Sequence, residues 1–394
     1  MATNVTTLFV PRETAPGERR VAVTPTAVRR HGKRDVEVQV ERGAGEAAGF
    51  DDASYEDAGA RIVDGAAVAD APIVARVASP SVAEVEALAP GTVLLSFVAP
   101  HRNLDTVAAL ARGSVTTLAM ELVPRITRAQ SIDALSSQAN VGGYRAVIEA
   151  AYALDKYFPL FMTAAGTIRP ARVVILGAGV AGLQAVATAK RLGAVVHVSD
   201  IREAARDEVA SLGGTFIEVP GEEDATGEGG YAKEVGASYL DRQRQVLTEH
   251  LREAHAVITT AQIPGRPAPQ LVTREMVEAM PRGSVVIDLA AADGGNCALT
   301  EVGRTVEHQG VRIIPGNDFP SAMANEASSL YALNIVAFAE LLIDEETGLR
   351  LDLEDEVVAG ALLTHDGEVT APRIAEMLAD TRIAPGADGE EDAS

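Results

Sequence analysis

The chain has 394 residues, of which 47% are hydrophobic and 23% are charged, and this composition predicts a globular protein of about two domains. Its formal net charge of −22 argues against nucleic acid or anionic lipid as a partner, because both recruit basic surfaces. The acidic excess instead indicates a high-salt cytoplasm.

Cys297 is the only cysteine, which excludes an internal disulfide and favours a reducing compartment. The sequence has no signal-peptide pattern and no run suited to crossing a membrane, so no direct membrane span is expected.

In the first part of the chain, short strand-like runs alternate with helical ones, which is typical of a parallel sheet with helices on its faces. In chain order, these runs are 7–10, a helix at about 25–31, 37–41, a helix from about 55, 71–77, 81–87, 93–98 and 115–120. A long helix is predicted for 138–157, where it ends before Pro159.

The second half of the chain repeats the alternation. Its further strands are predicted at 215–219, 256–259, 285–289 and 312–314. An acidic, glycine-rich insertion at 220–231 is a candidate mobile loop. A helix is predicted at 323–342, followed by two short strands within 351–369 that turn at Asp366 and Gly367.

Three glycines, Gly177, Gly179 and Gly182, stand between a β-branched run and an alanine-rich helical pattern. In such a turn the first glycine permits the bend, the second lets the backbone approach a pyrophosphate, and the third lets the helix pack against the strand. The next apolar run ends at Asp200, where a carboxylate accepts ribose hydroxyls and repels a 2′-phosphate. The segment predicts a site for NAD(H) rather than NADP(H), an inference that Arg202 weakens slightly.

These patterns predict an α/β fold with two Rossmann-like, doubly wound parallel-sheet domains separated by a cleft. The first domain is expected to be discontinuous, with residues 1–137 and 323–385. Residues 138–322 are expected to form the NAD(H)-binding Rossmann domain, and 386–394 a disordered acidic tail.

The segment between the strand at 115–120 and the long helix is rich in hydrogen-bonding side chains. These are Arg125, Arg128, Gln130, Asp133, Ser136 and Ser137. Loops at the ends of parallel strands are where α/β folds place ligand contacts, so we interpret this loop as part of the site. The alternative is a solvated loop with Ser and Asp helix caps.

Several motifs resemble the NAD(H)-binding alpha subunit of the proton-translocating NAD(P) transhydrogenase, whose fold alanine dehydrogenase shares. The motifs are 124–138, 162–167, 177–184, 229–234, 258–261, 264–269 and 294–297, within a resemblance that covers about 8–370. The motifs at 124–138 and 229–234 are specific to the transhydrogenase family.

The resemblance implies a role for each polar side chain of the loop. Asp133 would hold the nicotinamide carboxamide, Gln130 would reach toward a second nucleotide, and Arg125 would orient the pyrophosphate or ribose. Tyr231 would fold over the bound nucleotide, whereas Gln243 and Gln262 are either nucleotide contacts or ordinary surface glutamines. The full set of expected contacts is Arg125, Ile126, Thr127, Gln130, Ser131, Ile132, Asp133, Ser136, Gly177, Ala178, Gly179, Val180, Gly182, Asp200, Ile201, Arg202, Gly230, Tyr231, Gln243 and Gln262.

The resemblance also implies the reaction and the partners. The chain would bind NAD(H) and exchange hydride directly with NADP(H) held on a beta subunit, coupled to proton translocation by a transmembrane subunit. Direct transfer between two nicotinamides needs close positioning and exclusion of water rather than a general acid or base, and no metal is expected. A homodimer is implied, located in the cytoplasm and associated peripherally with the membrane through its partners.

Two other functions stay open. An alanine dehydrogenase would need a lysine and a histidine that, by resemblance, fall at Ala78 and Phe97, although His101 stands four residues away. Arg20 matches a carboxylate-binding arginine and does not discriminate between the two enzymes. A non-catalytic NAD-sensing module is the other alternative. Cys297 has no basic neighbour in the sequence, so we interpret it as a buried structural thiol.

Overall fold

The computed structural model describes residues 6–31, 36–220, 237–263, 266–316, 318–344 and 348–383. The chain divides into two compact units. The first combines Met1–Ala134 with Ser328–Ser394, and the second is Leu135–Ala327. Among the described residues, no helix combines the length and the apolar character needed to cross a membrane.

The strands are short, as is usual in α/β proteins. In chain order they are β1 (Thr6–Val10), β2 (Val36–Glu41), β3 (Arg61–Val63), β4 (Ile73–Ala75), β5 (Val93–Ser96), β6 (Thr116–Ala119), β7 (Phe161–Thr163), β8 (Gly166–Ile168), β9 (Arg172–Leu176), β10 (Val195–Ser199), β11 (Thr215–Phe216), β12 (Ala256–Thr259), β13 (Val285–Asp288), β14 (Val306–His308), β15 (Val311–Pro315), β16 (Ile343–Asp344), β17 (Gly348–Leu349), β18 (Leu362–His365) and β19 (Glu368–Val369).

Helices connect most of these strands. In chain order they are α1 (Pro25–His31), α2 (Asp52–Ala58), α3 (Val82–Glu86), α4 (Leu104–Arg112), α5 (Ala134–Ala153), α6 (Val180–Arg191), α7 (Ala205–Ser211), α8 (Ala237–Leu251), α9 (Arg274–Glu278), α10 (Phe319–Ala322), α11 (Ala324–Leu342), α12 (Glu356–Ala361) and α13 (Pro372–Ile383).

The sheet of the first unit has the strand order β19-β18-β6-β5-β4-β1-β2-β3. Strands β1 to β6 run parallel, with Leu8 opposite Val38 on one side and Ile73 on the other. Strands β18 and β19 come from the end of the chain and extend the sheet in antiparallel pairing. The first unit is therefore built from two separate stretches of sequence, with a strand order typical of Rossmann folds.

The sheet of the second unit has the order β11-β10-β9-β12-β13-β15-β14, and all its pairs are parallel except β14 with β15. Alternate residues of β9 enter two cores, because side chains alternate between the faces of a strand. Val173 and Ile175 pack with residues of α5 and α6, whereas Val174 and Leu176 pack with residues of α8 and α9. Burial on both faces explains the continuous apolar run, and the predicted doubly wound α/β fold is confirmed.

Most predicted strands and helices are present within a few residues of their predicted bounds, but some predictions were wrong. The segment predicted as two strands also contains α12. Its N-cap Asp355 accepts hydrogen bonds from the N–H groups of Val357 and Val358 at 2.8 and 3.3 Å, which stabilises the helix start. The turn at Asp366 and Gly367 is present, and both residues have positive φ.

The long helix was predicted at 138–157, but α5 is Ala134–Ala153. The shift at its end has a physical reason, because the chain leaves the helix to bury Leu154 and Phe158 in the core of the second unit. Strand β3, helix α4 and the hairpin of β7 and β8 were not predicted. Residues 221–231 of the predicted mobile loop and the tail 386–394 lie outside the described residues.

Helices α5 and α6 approach closely at Gly143. A Cβ added to Gly143 would overlap the backbone carbonyl of Ala181, whereas a Cβ on the neighbouring Gly142 would meet no atom within 4 Å. We expect Gly143→Ala to lower the free energy of unfolding by about 1–3 kcal/mol through overpacking. Gly142→Ala should raise it by about 0.5–1 kcal/mol, because alanine favours a helix over glycine. Urea denaturation of both variants checks this, and equal effects would contradict the close contact.

Candidate functional site

The glycine turn lies between β9 and α6, at the carboxyl end of the sheet in the second unit. Gly177 has φ of +100°, and a Cβ there would lie 2.6 Å from Thr260 Oγ1. A Cβ on Gly182 would overlap the carbonyl oxygen of Gly177, so this glycine permits α6 to start directly against the turn. A Cβ on Gly179 would meet nothing within 4 Å. The backbone at Gly179 therefore borders open space at the start of α6, where free N–H groups favour an anion.

Asp200 follows β10 and its carboxylate binds the glycine turn. Oδ2 accepts a hydrogen bond from the N–H of Ala178 at 2.7 Å. Both oxygens also bind Arg202: Oδ1 accepts from its backbone N–H at 2.8 Å and from Nε at 3.0 Å, and Oδ2 accepts from Nη2 at 3.1 Å. A carboxylate has about four acceptor positions, and these four hydrogen bonds, two of them from the guanidinium, engage the Asp200 carboxylate on both oxygens. Arg202 therefore has a larger role at this position than the sequence indicated.

A hydrogen-bond network behind the turn connects the loops that follow β9, β12 and β13. Thr260 Oγ1 donates to the carbonyl of Gly177 at 3.0 Å. The buried Asn296 accepts from the N–H of Ala261 at 3.1 Å and donates to the carbonyls of Ala261 and Pro269 at 2.9 and 2.8 Å. These contacts hold the loop after β12 in one conformation. At its end, Gln262 is exposed and donates to Asp293 at 3.3 Å.

Asp288, the last residue of β13, is fully buried and completes this network. Oδ1 accepts from Thr259 Oγ1 at 2.9 Å and from the N–H of Ala290 at 3.0 Å. Oδ2 accepts from the N–H of Cys297 at 3.0 Å and from Thr300 Oγ1 at 2.6 Å. The sequence analysis assigned no role to Asp288, Asn296 or Thr260. For Thr260 and Asp288 the available signal was their position, because polar residues at the ends of buried strands stand at the carboxyl edge of the sheet. Asn296 lies eight residues beyond the end of β13 and gave no such signal.

The loop 124–134 of the first unit is anchored on one side. The Arg128 guanidinium forms two hydrogen bonds of 2.7 Å with Asp355, and this contact holds the pKa of Asp355 at about 2. Asn334 Nδ2 donates to the carbonyl of Ser131 at 2.9 Å. Ala129 and Ile132 are buried beneath the loop. Arg128, which the sequence analysis named only among the polar side chains of this loop, therefore anchors the loop.

The candidate contact residues of this loop differ in exposure. Arg125, Thr127, Gln130 and Ser131 are exposed, whereas Ile126 and Asp133 are half-buried and Ile132 is buried. A short 3-10 turn, Thr127–Ala129, has Gln130 as its C-cap residue. Ser136 and Ser137 follow in the first turn of α5 and are half-buried. The structure thus presents an anchored polar loop on which Arg125 and Gln130 are exposed, together with the paired Arg128.

The other predicted contacts belong to the second unit. Val180 begins α6, and Ile201 follows Asp200 at the edge where the glycine turn lies. Gln243 lies in α8 and is buried, which rules out one of its two alternatives, the ordinary surface glutamine. Gly230 and Tyr231 lie outside the described residues.

The positions that an alanine dehydrogenase would need carry no titratable base in this structure. Ala78 donates its N–H to Glu13 Oε2 at 3.3 Å, and the Phe97 ring packs against Tyr331 with centroids 5.3 Å apart. The Arg20 guanidinium is bound by Glu18, with Nη2 2.6 Å from Oε2. His101 lies in the turn before α4 and is half-buried. Arg20 already has a carboxylate partner from its own chain.

Cys297 is buried, and burial raises the pKa of its thiol to about 11. A thiol with so high a pKa is protonated at neutral pH and is a poor nucleophile.

The fold and the glycine turn define a Rossmann-type α/β protein with the kind of turn that binds dinucleotides. Two family models match the chain: "Alanine dehydrogenase/PNT, N-terminal domain" over residues 9–142 and "Alanine dehydrogenase/PNT, C-terminal domain" over 146–372. The chain therefore belongs to the alanine dehydrogenase/PNT family.

Individual relatives agree with this assignment. An alpha-subunit chain of the NAD(P) transhydrogenase of Rhodospirillum rubrum is 47% identical over 377 residues, which cover 93% of this chain and 98% of the relative. The solved structure of transhydrogenase from Sinorhizobium meliloti has a TM-score of 0.85 and 45% identity, covering 92% of this chain and 99% of the other. A solved L-alanine dehydrogenase has a TM-score of 0.78 and 25% identity, covering 95% of this chain and 99% of the other. The resemblance to transhydrogenase alpha subunits and the fold shared with alanine dehydrogenase are confirmed.

Proposed function

We propose that this chain is the NAD(H)-binding alpha subunit of a proton-translocating NAD(P) transhydrogenase and exchanges hydride directly with NADP(H) on a partner subunit. The observation that carries the proposal is the loop 124–134. It is anchored by Arg128 and Asp355, and it presents Arg125 and Gln130 to solvent. A rigid polar loop suits a reaction that depends on the orientation of a ring rather than on proton transfer.

Each part of the site would have a separate task. The turn at Gly177, Gly179 and Gly182 and the carboxylate of Asp200 would bind the adenosine and pyrophosphate half of NAD(H). Arg125, Gln130 and Asp133 would bind and orient the nicotinamide half. Bound NADH supplies the hydride from its nicotinamide ring, so the chain itself needs to position the ring and keep water away. No metal is part of the proposal.

The proposal includes the assembly. An NADP(H)-binding beta subunit and a transmembrane subunit would supply the second nucleotide and the proton pathway, and the chain would act as a homodimer attached peripherally to the membrane from the cytoplasm. The two compact units would be the two domains, residues 1–137 with 323–385 and residues 138–322. The net charge of −22 suits a high-salt cytoplasm, because surface carboxylates stay hydrated there.

The test combines this chain with an NADP(H)-binding partner subunit and follows hydride transfer from NADH to an NADP⁺ analogue with a distinct absorbance. Gln130→Asn and Asp133→Asn each shorten or neutralise one orienting group, and we expect transfer to slow by about 10- to 100-fold. The same substitutions at Gln39, on β2, and at Asp57, on α2, serve as matched controls in the same unit and should leave the rate unchanged. Transfer at the parental rate in both site variants would contradict the assignment of the loop.

An alanine dehydrogenase is the second candidate, and the apolar Ala78 and Phe97, at the positions where that enzyme would need a lysine and a histidine, argue against it. The isolated chain should not oxidise NADH when ammonia and pyruvate are supplied. Steady oxidation under those conditions would replace the transhydrogenase proposal. If NADH fluorescence shows no binding at all, both enzymes are excluded.

A further inference from the structure

The C-terminal part of the first unit contacts both ends of the loop 124–134. At the start of the loop, the ring of Pro124 packs on the backbone of α12, since a Cβ added to Gly360 would lie 2.9 Å from Pro124 Cδ. Toward the other end, the buried Asn334 of α11 donates from Nδ2 to the carbonyl of Ser131 at 2.9 Å. Gly360 and Asn334 follow the second unit in sequence, yet they belong to the first.

The middle of the loop is bound by the residue that begins α12. Asp355 is the N-cap of this helix, and its Oδ1 accepts from the N–H groups of Val357 and Val358 at 2.8 and 3.3 Å. The same carboxylate accepts from both terminal nitrogens of the Arg128 guanidinium at 2.7 Å. Exposed ion pairs usually contribute little, but two parallel hydrogen bonds between a guanidinium and a carboxylate fix direction as well as distance. One side chain therefore joins the start of α12 to the loop.

The two exposed candidate contacts of the loop stand between these anchored residues. Arg125 lies between Pro124 and Arg128, and Gln130 lies between Arg128 and Ser131. Each of the two thus has an anchored residue within three positions on either side. A backbone fixed at such short intervals has lost its conformational freedom during folding, so little more is lost when a ligand binds.

We propose that Asp355 and Gly360 are positioning residues for hydride transfer, acting through the loop to set the place of Arg125 and Gln130. This inference rests on the proposed function, in which the loop orients the nicotinamide half of NAD(H). It adds that a helix whose first contact stands 227 positions after Arg128 determines that orientation. A displacement of about 1 Å at such a site costs up to about 100-fold in rate. NADH affinity is affected less, because the glycine turn would bind the other half of the dinucleotide.

Asp355→Asn separates the two contacts of this carboxylate. Asparagine caps a helix about as well as aspartate, so the start of α12 is preserved. With its oxygen directed at the capped N–H groups, the new amide nitrogen faces Nη1 of Arg128, and two donors cannot bond. We expect hydride transfer to the partner subunit to slow about 10-fold, with the NADH dissociation constant within about 2-fold of the parent value. Asp51→Asn, at the N-cap of α2 in the same unit, is the matched control and should keep the parental rate.

Gly360→Ala displaces the start of the loop without removing a hydrogen bond. The added methyl group would lie 2.9 Å from Pro124 Cδ and 3.1 Å from Cγ, so the proline must shift. Alanine favours a helix over glycine, so α12 itself is not weakened. Transfer should slow by about 3- to 10-fold. Gly142→Ala, at a glycine of α5 where a Cβ would meet nothing within 4 Å, is the matched control and should transfer hydride like the parent.

Hydrogen exchange of the loop amides tests the same contact without the partner subunit. The N–H of Ala129 donates to the carbonyl of Ile126 at 3.0 Å, and that of Ile132 to the carbonyl of Ala129 at 2.8 Å. In Asp355→Asn these amides should exchange about 10-fold faster, whereas those of β1 and β4 should keep the parental rate. Slower transfer with faster exchange throughout the first unit would overturn the inference, because α12 would then only stabilise the fold.

A double variant and the parent chain complete the experiment. Arg128→Gln combined with Asp355→Asn should transfer hydride about as fast as the slower single variant, since both substitutions break one contact. Fully additive losses, or parental rates in both Asp355→Asn and Gly360→Ala, would overturn the inference. If the parent chain with its partner transfers no hydride, the proposed function is wrong, and hydrogen exchange alone decides whether Asp355 positions the loop.

Discussion

Asp200→Asn should remove most of the preference for NADH over NADPH. We expect the ratio of the NADPH dissociation constant to the NADH dissociation constant to fall by about 10- to 100-fold. The carboxylate would no longer repel a 2′-phosphate. In the structure the Asp200 carboxylate also binds the Arg202 guanidinium, whose Nε lies 3.0 Å from Oδ1. An amide holds a guanidinium less strongly than a carboxylate does, so Arg202 becomes available to the phosphate of NADPH. Fluorescence titrations of the chain with NADH and with NADPH measure both constants.

Arg202→Gln is the matched control for this experiment, because it removes the guanidinium and keeps the carboxylate. The NADH preference should be retained in this variant, and the double variant should lose the gain in NADPH binding that Asp200→Asn shows. If Asp200→Asn leaves the ratio unchanged, Asp200 does not face the ribose, and its role is limited to holding the N–H of Ala178.

Asp288→Asn should lower the free energy of unfolding by about 2–4 kcal/mol. Asp288 is fully buried and each of its oxygens accepts from one backbone N–H and one threonine hydroxyl. An amide nitrogen in place of either oxygen would face a backbone N–H, of Ala290 or of Cys297, and leave it without an acceptor. The threonine hydroxyls can rotate, but a backbone N–H cannot. Urea denaturation measures the change.

Asp207→Asn, on the exposed surface of α7 in the same unit, is the control and should change stability by less than about 0.5 kcal/mol. A second readout reports the local structure, because the N–H of Cys297 is held by Asp288. The buried thiol should react slowly with a disulfide reagent in the parent chain and faster in the Asp288 variant. Equal stability and equal thiol reactivity would show that the network around Asp288 has no structural importance.

Structural features could be predicted from the sequence where all the residues that determine them lie close together in the chain. The turn at Gly177 is an example, because the bend, the close helix start and the acid at the end of the next strand all follow from residues within one strand-turn-helix unit. The strand order of the first unit was harder to predict from the sequence. Strand β18 pairs with β6 although more than half of the chain separates them, and no periodicity encodes that pairing.

The contacts that hold the candidate site were the least predictable part. Arg128 and Asp355 are separated by 227 positions, and Asn296 and Ala261 by 35, so neither partner could be chosen from the sequence. Residue type alone did not distinguish Arg128, which anchors the loop, from the other polar side chains of the loop, and it left Asn296 without a role. The burial of Gln243 could not be predicted either. Helix α8 is largely polar, and which of its faces is buried depends on the sheet against which it packs.

The pairing of β18 with β6 also determines the order in which the two units can complete their sheets during translation. The second unit, Leu135–Ala327, is continuous and can complete its sheet while the remainder is still being translated. The first unit begins translation earlier but finishes later, since β6 stays an open edge until residues 362–369 have left the exit tunnel. During that interval its unpaired N–H and C=O groups are available to any other nascent strand. Slow synthesis of the C-terminal segment would therefore prolong the period in which the chain is prone to aggregation.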